Sequence, residues 1–191
     1  MLSSRQQEII DESINLIAEK GIQGLTIKNL SLKLGISEPA IYRHFDNKIS
    51  ILTTIIKIFR GNISQIFQSE INASANSIDK IEHLFNKHFI TFSNRPVLTS
   101  VVFSEEIFRN EKSLIDEITA VIESNKSILV EIIQIGQKNN EIRNDIDAED
   151  LAIMLLGSLR LFVKRWRFEN FNFDIKVKGL EFFQSLKKLL V

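Results

Sequence analysis

The stretch LSLKLGISEPAIYRHFDNK, residues 30 to 48, decides the fold of this chain. Apolar residues recur every three or four positions on both sides of Gly35, which is the pattern of two short helices joined by a tight turn. Thr26 is placed to cap the first of these helices, and Pro39 lies in the first turn of the second, where its missing N–H does no harm. Gly35 is expected to adopt a positive φ in the turn.

Helical periodicity continues to both ends of the chain, so the sequence predicts an all-α protein. A capping box from Ser4 to Gln7 begins the first helix, which is predicted to end at Gly21, and NASANS at 72–77 reads as a linker. The other helices are predicted over 27–34, 38–45, 48–70, 78–93, 97–109, 112–138, 148–169 and 174–190. The domains are expected to be a three-helix helix-turn-helix head at 1–47 and a larger helical bundle at 48–191, with 48–70 as a connecting helix.

Composition and charge restrict the class of protein. The chain has 191 residues and a net charge of zero. It has no cysteine, which excludes a disulfide framework and a thiolate metal site. It begins with a polar, acidic stretch, and no apolar run reaches the roughly 18 to 20 residues that span a bilayer, so a cytoplasmic protein without membrane contact is expected. Basic residues are concentrated between 26 and 60, which indicates a local contact with a polyanion.

No motif for catalysis or for a cofactor is found, so the chain is predicted not to be an enzyme. His83 and His88 are five residues apart, about 140° around a helix, and therefore make a poor pair of metal ligands. Glu105 and Glu106 are adjacent and diverge on a helix, which argues against an acid/base pair. No metal and no cofactor are predicted.

The head resembles a known family. LTIKNLSLKLGISEPAIYRHFDNKISIL, preceded by RQQEIIDESINLIAEKG, is similar to the DNA-binding head of TetR-family transcriptional regulators over roughly residues 4 to 52. Ser13, Ser31 and Leu34 stand where the family commonly has alanines, and these departures concern packing. The remainder resembles the family in length and helical content.

The resemblance implies a role for each residue of the head. The expected phosphate contacts are Thr26, Ser37, Tyr42, His44 and Lys48, and the residues expected to face base edges are Lys28, Glu38, Pro39, Ala40 and Arg43. Arg43 can donate two hydrogen bonds to guanine, and Pro39 or Ala40 can touch a thymine methyl group. The alternative for this motif is a structural hairpin with a solvated polar face.

The body is expected to bind a small molecule and a second copy of the chain. The family encloses an apolar ligand in its body, and the residues placed to line such a pocket are Phe85, Phe89, Phe92, Phe103, Phe108 and Phe162. Simple core packing is the alternative for these rings. LAIMLLGSLRLFVKRWRF and GLEFFQSLKKLLV, within 148–190, resemble the family's homodimer interface, although a buried core helix in a monomer would read similarly.

The sequence therefore favours a homodimeric regulator, most often a repressor in this family, that leaves a palindromic operator when a small, largely apolar effector binds. A second hypothesis keeps DNA binding but has the body recruit protein partners without an effector. A helical-bundle enzyme is a third, weaker one. The basic cluster at Lys164, Arg165 and Arg167 is not explained by any of them.

Overall fold

The structure, a computed structural model, describes residues 2–71, 75–103 and 111–191, and for 62–71 it describes the backbone alone. Within these residues every regular element is a helix and none is a strand, which confirms the all-α prediction. The helices are α1 (Ser4–Gly24), α2 (Ile27–Leu34), α3 (Glu38–Tyr42), α4 (Lys48–Ile71), α5 (Ser77–Asn94), α6 (Leu98–Val102), α7 (Lys112–Lys138), α8 (Ala148–Phe168) and α9 (Ile175–Leu190).

The chain forms two compact units, Met1–Phe59 with Val97–Thr119, and Arg60–Pro96 with Ala120–Val191. Helices α4 and α7 each contribute residues to both units. These units are defined by packing, whereas the boundary between residues 47 and 48 was drawn where the helix-turn-helix motif ends. That boundary stays a prediction.

In the first unit, α1 packs on α2 and on α6, and α2 packs on α3. Side chains from all these helices and from α4 form the core of this unit, and the fully buried ones include Ile9, Ile10, Leu30, Ile41, Ile51 and Ile56. Five apolar residues of α4 are all buried: Ile51, Leu52, Ile55, Ile56 and Phe59. The apolar spacing of the head therefore predicted its packing correctly.

The predicted capping box of the first helix was wrong in its register. The capping box is formed by Ser3 and Gln6 rather than by Ser4 and Gln7, with Gln6 N donating to Ser3 Oγ at 3.2 Å and Ser3 N donating to Gln6 Oε1 at 3.0 Å. The predicted end at Gly21 corresponds to a break in the helical backbone, where φ is +69°, and α1 resumes after this kink and ends at Gly24. The adjacent Ser3-Ser4 and Gln6-Gln7 pairs made the register of this box ambiguous in the sequence.

Helix α3 is shorter than the predicted 38–45 segment and ends at Tyr42. The next helix explains this end, because Asn47 Oδ1 accepts a hydrogen bond from Ser50 N at 2.9 Å and so caps α4. An N-cap residue has a non-helical backbone, so the chain leaves the helix before Asn47. Gly35 adopts the expected positive φ, +64°, and its N–H is bonded to Leu32 O.

The second unit contains α5, α8 and α9, and α9 packs on both α5 and α8. The backbone of α9 comes close to α5 at Gly179, where an added Cβ would lie 2.5 Å from the ring of Phe89. The loop after α7 is bonded to the beginning of α5 and to the end of α9. Glu141 Oε2 accepts a hydrogen bond from Ser77 N at 2.7 Å, and Arg143 N donates to Leu190 O at 2.8 Å.

The observed bounds of α5, α7, α8 and α9 agree with the predicted ones to within about two residues. The predicted helix over 97–109 is observed only as α6, Leu98–Val102, and residues 104–110 lie outside the described residues. Over 2–71, 75–103 and 111–191, no helix combines the length and apolarity needed to cross a membrane.

Candidate functional site

Helix α3 separates buried apolar side chains from exposed polar ones. Ile41 is 0% exposed and Phe45 is 6% exposed, so these two residues hold the segment against the core of the head. The side chains that then face solvent are Ser37, Glu38, Pro39, Tyr42 and Arg43, with Ala40 and His44 partly exposed. Seven of the ten predicted DNA-binding residues thus lie together on one short segment, as the sequence indicated.

The beginning of α2 contributes two more of these residues to the exposed surface. Thr26 Oγ1 accepts a hydrogen bond from Asn29 N at 3.1 Å, so the hydroxyl caps α2 as predicted. Thr26 and Lys28 are both exposed. Asn29, which the sequence analysis did not identify, donates from Nδ2 to Gly24 O at 2.8 Å and fixes the turn before α2.

Ion pairs decide which basic side chains of the head remain available to a polyanion. Lys33 Nζ lies 2.5 Å from Glu19 and 3.8 Å from Glu12, and the hydrogen bond that Lys33 donates to Glu19 raises the pKa of Lys33. Lys33 therefore fastens α2 to α1. By contrast, Lys28 and Arg43 make no ion pair with any residue in the described ranges.

Lys48 is partly buried, and its ammonium group already has a protein partner. Its Nζ donates to Ile22 O at 2.8 Å, in the turn that follows the Gly21 kink, and burial lowers the pKa of Lys48. One N–H of the ammonium is used by this bond, and two further N–H donors remain. The bond joins the first residue of α4 to the last turn of α1, a pairing across 26 residues that local sequence does not reveal.

Three of the predicted pocket residues are buried in the body, and a fourth is partly buried there. Phe85, Phe89 and Phe92 are at most 2% exposed, while Phe162 is partly exposed. Phe162, Phe85, Phe89, Phe182 and Phe183 form an aromatic cluster, with ring centroids 4.7 to 6.1 Å apart along its contacts. The rings contact one another in this structure, so a pocket lined by them stays a prediction. Phe103 belongs to the first unit, and Phe108 lies outside the described residues.

His88 is a buried, neutral histidine. It is 5% exposed, its Nδ1 lies 3.1 Å from Leu84 O, and burial lowers its pKa to about 4. His83 is exposed on the same helix. In the part of the chain that the structure describes, no three histidine or acidic side chains come together as a metal site would require. Glu105 and Glu106 lie outside that part.

The burial of His88 makes stability depend on pH. The pKa of about 4 in the folded state is below the ordinary value of 6.5, so the unfolded chain binds more protons between these two pH values. The contribution of neutral His88 to the free energy of unfolding is fully present above pH 6.5. It decreases as the pH falls towards 4, by up to about 3 kcal/mol. We expect His88→Gln to remove this component, measured as the difference between wild-type and variant urea-unfolding curves across that range. A constant difference would contradict the expectation.

Helix α8 exposes a stripe of apolar side chains, here called the α8 face, consisting of Ile153, Met154, Gly157, Leu161 and Phe168. Leu161 is 69% exposed and Phe168 is 70% exposed. A Cβ added to Gly157 would meet no atom within 4 Å. Val177 and Leu189 on α9 are also more than half exposed. A stripe of exposed apolar side chains along one helix, such as the α8 face, is typical of a protein–protein interface.

The basic cluster beside this face makes local contacts. Arg165 Nε is 2.6 Å from Glu169 Oε1, and its guanidinium carbon lies 6.0 Å from the centroid of the Phe173 ring. Lys164 Nζ lies 5.9 Å from the Phe168 ring centroid. These contacts are consistent with a helix end in solvent, and they assign no function to the cluster.

Two family models match the chain, one to each part of it. Residues 9–55 match the model described as bacterial regulatory proteins, tetR family, and residues 59–190 match the model described as YsiA-like protein, C-terminal region. The second match covers more than half of the 191 residues.

Individual proteins match along most of their length. A fatty acid metabolism regulator protein from Bacillus subtilis is 23% identical over 90% of this chain and 88% of its own. The transcriptional repressor KstR2 from Rhodococcus jostii is 25% identical over 86% and 80% respectively. The crystal structure of FadR from Bacillus subtilis in complex with stearoyl-CoA superposes with a TM-score of 0.83 at 22% identity, covering 99% of this chain and all of that one.

Proposed function

This chain belongs to the TetR family of bacterial regulatory proteins, and we propose that it acts as a homodimer on a palindromic operator and that its effector carries a long acyl chain. It is a ligand-responsive, DNA-binding transcriptional regulator with the architecture of a repressor. The relatives are regulators, and we assign this protein a regulatory rather than an enzymatic role. We place it in the cytoplasm because a bacterial operator is reached there.

The observation that carries the DNA-binding assignment is the exposed polar surface of α3 and its flanks, opposite a completely buried Ile41. Exposed hydroxyl, guanidinium and ammonium groups at a helix-turn-helix have natural partners in phosphates and base edges. The proposed phosphate contacts are Thr26, Ser37, Tyr42, His44 and Lys48, and the proposed base contacts are Lys28, Glu38, Pro39, Ala40 and Arg43.

Arg43 and Lys48 give contrasting predictions once an operator has been selected. We expect Arg43→Ala to cost about 1–3 kcal/mol of binding free energy and to relax the preference at one base pair, because a base-edge contact is lost. Lys48→Ala should instead weaken all duplexes similarly and reduce the slope of log K against log salt by about one. Fluorescence anisotropy over a salt series measures both. A changed base preference in Lys48→Ala would contradict its assignment to phosphate.

The α8 face supports the proposed homodimer. The same residues on two copies of the chain would form a self-complementary contact, as a two-fold interface requires, and Gly157 would allow the helices to approach closely. Dimerisation through residues about 148–190 would place two α3 helices on one face of the duplex, with half-sites about one helical turn apart.

Two considerations support an acyl effector. The relatives include a regulator of fatty acid metabolism and a FadR structure that contains stearoyl-CoA. The body of this chain has an interior rich in phenylalanine, and such an interior suits a long hydrocarbon chain. The effector would release the operator by binding one conformation of the dimer more tightly than the other. Helix α4, which contributes to both compact units, is proposed to transmit the change.

Thermal melting of refolded protein tests the effector. We expect stearoyl-CoA to raise the melting temperature, since a ligand at 100 times its Kd stabilises the folded state by about 2.7 kcal/mol. Coenzyme A alone is the control and should have a much smaller effect. If no acyl ligand shifts the melting of a protein that still binds its operator, the second hypothesis gains support, in which the body recruits protein partners.

A further inference from the structure

The side chains of α8 are arranged symmetrically about Gly157. Ile153 and Leu161 lie four residues before and after it, and both are exposed and apolar. Asp150 and Lys164 lie seven residues before and after it, and they carry opposite charges. Seven residues are about 20° short of two full helical turns, so Asp150, Gly157 and Lys164 are nearly in line along the helix. The α8 face therefore has an acidic side chain towards one end and a basic side chain towards the other.

Further charges continue this symmetry on both flanks of the α8 face. Glu149 and Arg165 are eight residues from the central glycine, and Asp147 and Arg167 are ten residues from it. Asp147 is used within its own chain, where its Oδ1 accepts a hydrogen bond from Glu149 N at 2.8 Å and caps α8. Asp150, by contrast, is exposed and makes no ion pair in the part of the chain that the structure describes. Its carboxylate is therefore the acidic group that is available to another chain.

The helix macrodipole explains the signs of these charges but not their positions around the helix. It favours acidic side chains in the first turn and basic side chains in the last turn, whichever side of the helix they occupy. Lys164 precedes the last turn of α8, which ends at Phe168. The alignment of Asp150 and Lys164 with exposed apolar side chains is a separate feature, and an interface between two helices accounts for it.

We infer that α8 packs against α8 of a second copy in antiparallel orientation, centred on Gly157, and that Asp150 pairs with the partner's Lys164. This inference rests on the homodimer proposed above and adds the register of the interface and the charges that decide which chains can form it. In an antiparallel two-fold contact, each side chain faces the one at the same distance beyond the central residue. Ile153 therefore faces the partner's Leu161. At the centre, a Cβ added to Gly157 would meet no atom within 4 Å, so this surface is open to a second helix.

The two ion pairs select the partner and contribute little of the affinity. Exposed ion pairs stabilise a contact only slightly, whereas like charges placed opposite each other disfavour it and thereby exclude wrong partners. A related regulator with an apolar helix but a different order of charges would place like charges opposite Asp150 or Lys164. The basic cluster is thus one half of a signal by which the chain recognises a second copy of itself.

Exchange of the two charges tests the inference. In Asp150→Lys two lysines meet at two places in the dimer, and in Lys164→Asp two aspartates do, so each variant should dimerise at least about tenfold more weakly than wild type. An equimolar mixture of the two variants should form the heterodimer, in which opposite charges face each other again at both places. The double variant, Asp150→Lys with Lys164→Asp, should form a homodimer with an affinity near that of wild type. Lys138→Asp, the same charge change at an exposed position of α7, is the matched control and should not alter dimerisation.

Sedimentation equilibrium in low salt measures the affinities. Native mass spectrometry of the mixture, with an affinity tag on one variant, separates the heterodimer from both homodimers, and its fraction should be well above the half expected for random pairing. The homodimer of Lys164→Asp should also become tighter relative to wild type as salt is added, because screening weakens the repulsion between like charges. If Asp150→Lys does not fold, this salt series provides the test, and a Lys164→Asp dimer that is no tighter at high salt overturns the inference.

Other results would also overturn the inference. Single variants that dimerise like wild type and pair at random would show that Asp150 and Lys164 do not face each other, while the homodimer itself stands. Weakened single variants that neither the mixture nor the double variant restores would give these residues a role within their own chain, such as stabilising the ends of α8. A wild-type protein that is monomeric at micromolar concentration would reject the proposed homodimer and this inference with it.

Discussion

Leu161→Glu is expected to convert the protein to a monomer and to reduce operator affinity by about a thousandfold. Leu161 is 69% exposed and lies within the α8 face, between Gly157 and Phe168. Two glutamates within a two-fold interface would repel and would be taken out of water without partners. Each head would then bind a half-site alone and lose the gain from simultaneous contact, which is typically about 10²–10⁴.

Sedimentation velocity and anisotropy with a selected operator measure these two effects. Ile122→Glu is the control, because Ile122 is a partly exposed isoleucine, 42%, on α7 and outside the α8 face. It should remain a dimer that binds the operator. A dimeric Leu161→Glu variant with normal operator affinity would show that the interface lies elsewhere.

The second large effect is expected for Phe89→Ala, which should lower the free energy of unfolding by about 3–5 kcal/mol. Phe89 is 0% exposed, and its ring lies 6.1 Å from Phe85 and 5.7 Å from Phe162 between centroids. The ring also faces the bare backbone of Gly179, where an added Cβ would be 2.5 Å away. Removing the ring therefore leaves a cavity between α5 and α9 that neighbouring side chains cannot fill.

Urea unfolding at fixed protein concentration measures this loss, since the stability of a dimer depends on concentration. Leu32→Ala is the control, because Leu32 is 73% exposed and its removal should change stability by no more than about 0.5 kcal/mol. A loss below about 1 kcal/mol in Phe89→Ala would mean that the ring lines an open space, in agreement with the pocket predicted from the sequence.

The helix-turn-helix was predictable because its determinants are local. Gly35 must take a positive φ, Thr26 caps the next N–H groups, and Ile41 and Phe45 are four residues apart on the buried side of α3. Each of these signals is contained within a few residues of sequence. The exposed positions of the proposed DNA contacts followed from the same periodicity.

The features that the sequence did not reveal depend on residues far apart in the chain. The bond from Lys48 to Ile22 O and the pairs of Lys33 with Glu12 and Glu19 join different helices, and periodicity within one helix carries no information about them. The end of α3 was misplaced because Asn47 caps α4, which competes with the helical pattern of EPAIYRHF. The phenylalanines show the same limit, since spacing indicates that a ring faces inward and does not distinguish a core from a pocket lining.

Lys48 connects the two functions of the molecule in this account. It begins α4, the helix that contributes to both compact units, and it is bonded to Ile22 O in the last turn of α1, shortly before Thr26. A shift of α4 on effector binding would therefore act directly on the turn before Thr26. This arrangement is consistent with the differential affinity that release from an operator requires.

Selection from a random duplex library with refolded, dimeric protein tests the central claim most directly, because it asks whether the surface of α3 reads sequence. The account predicts enrichment of a palindrome with half-sites about 10 to 10.5 base pairs apart, centre to centre, and loss of that enrichment when stearoyl-CoA is added. Refolding after dialysis in denaturant removes any ligand that was purified with the protein. A folded, dimeric and ligand-free protein that enriches no sequence would contradict the account.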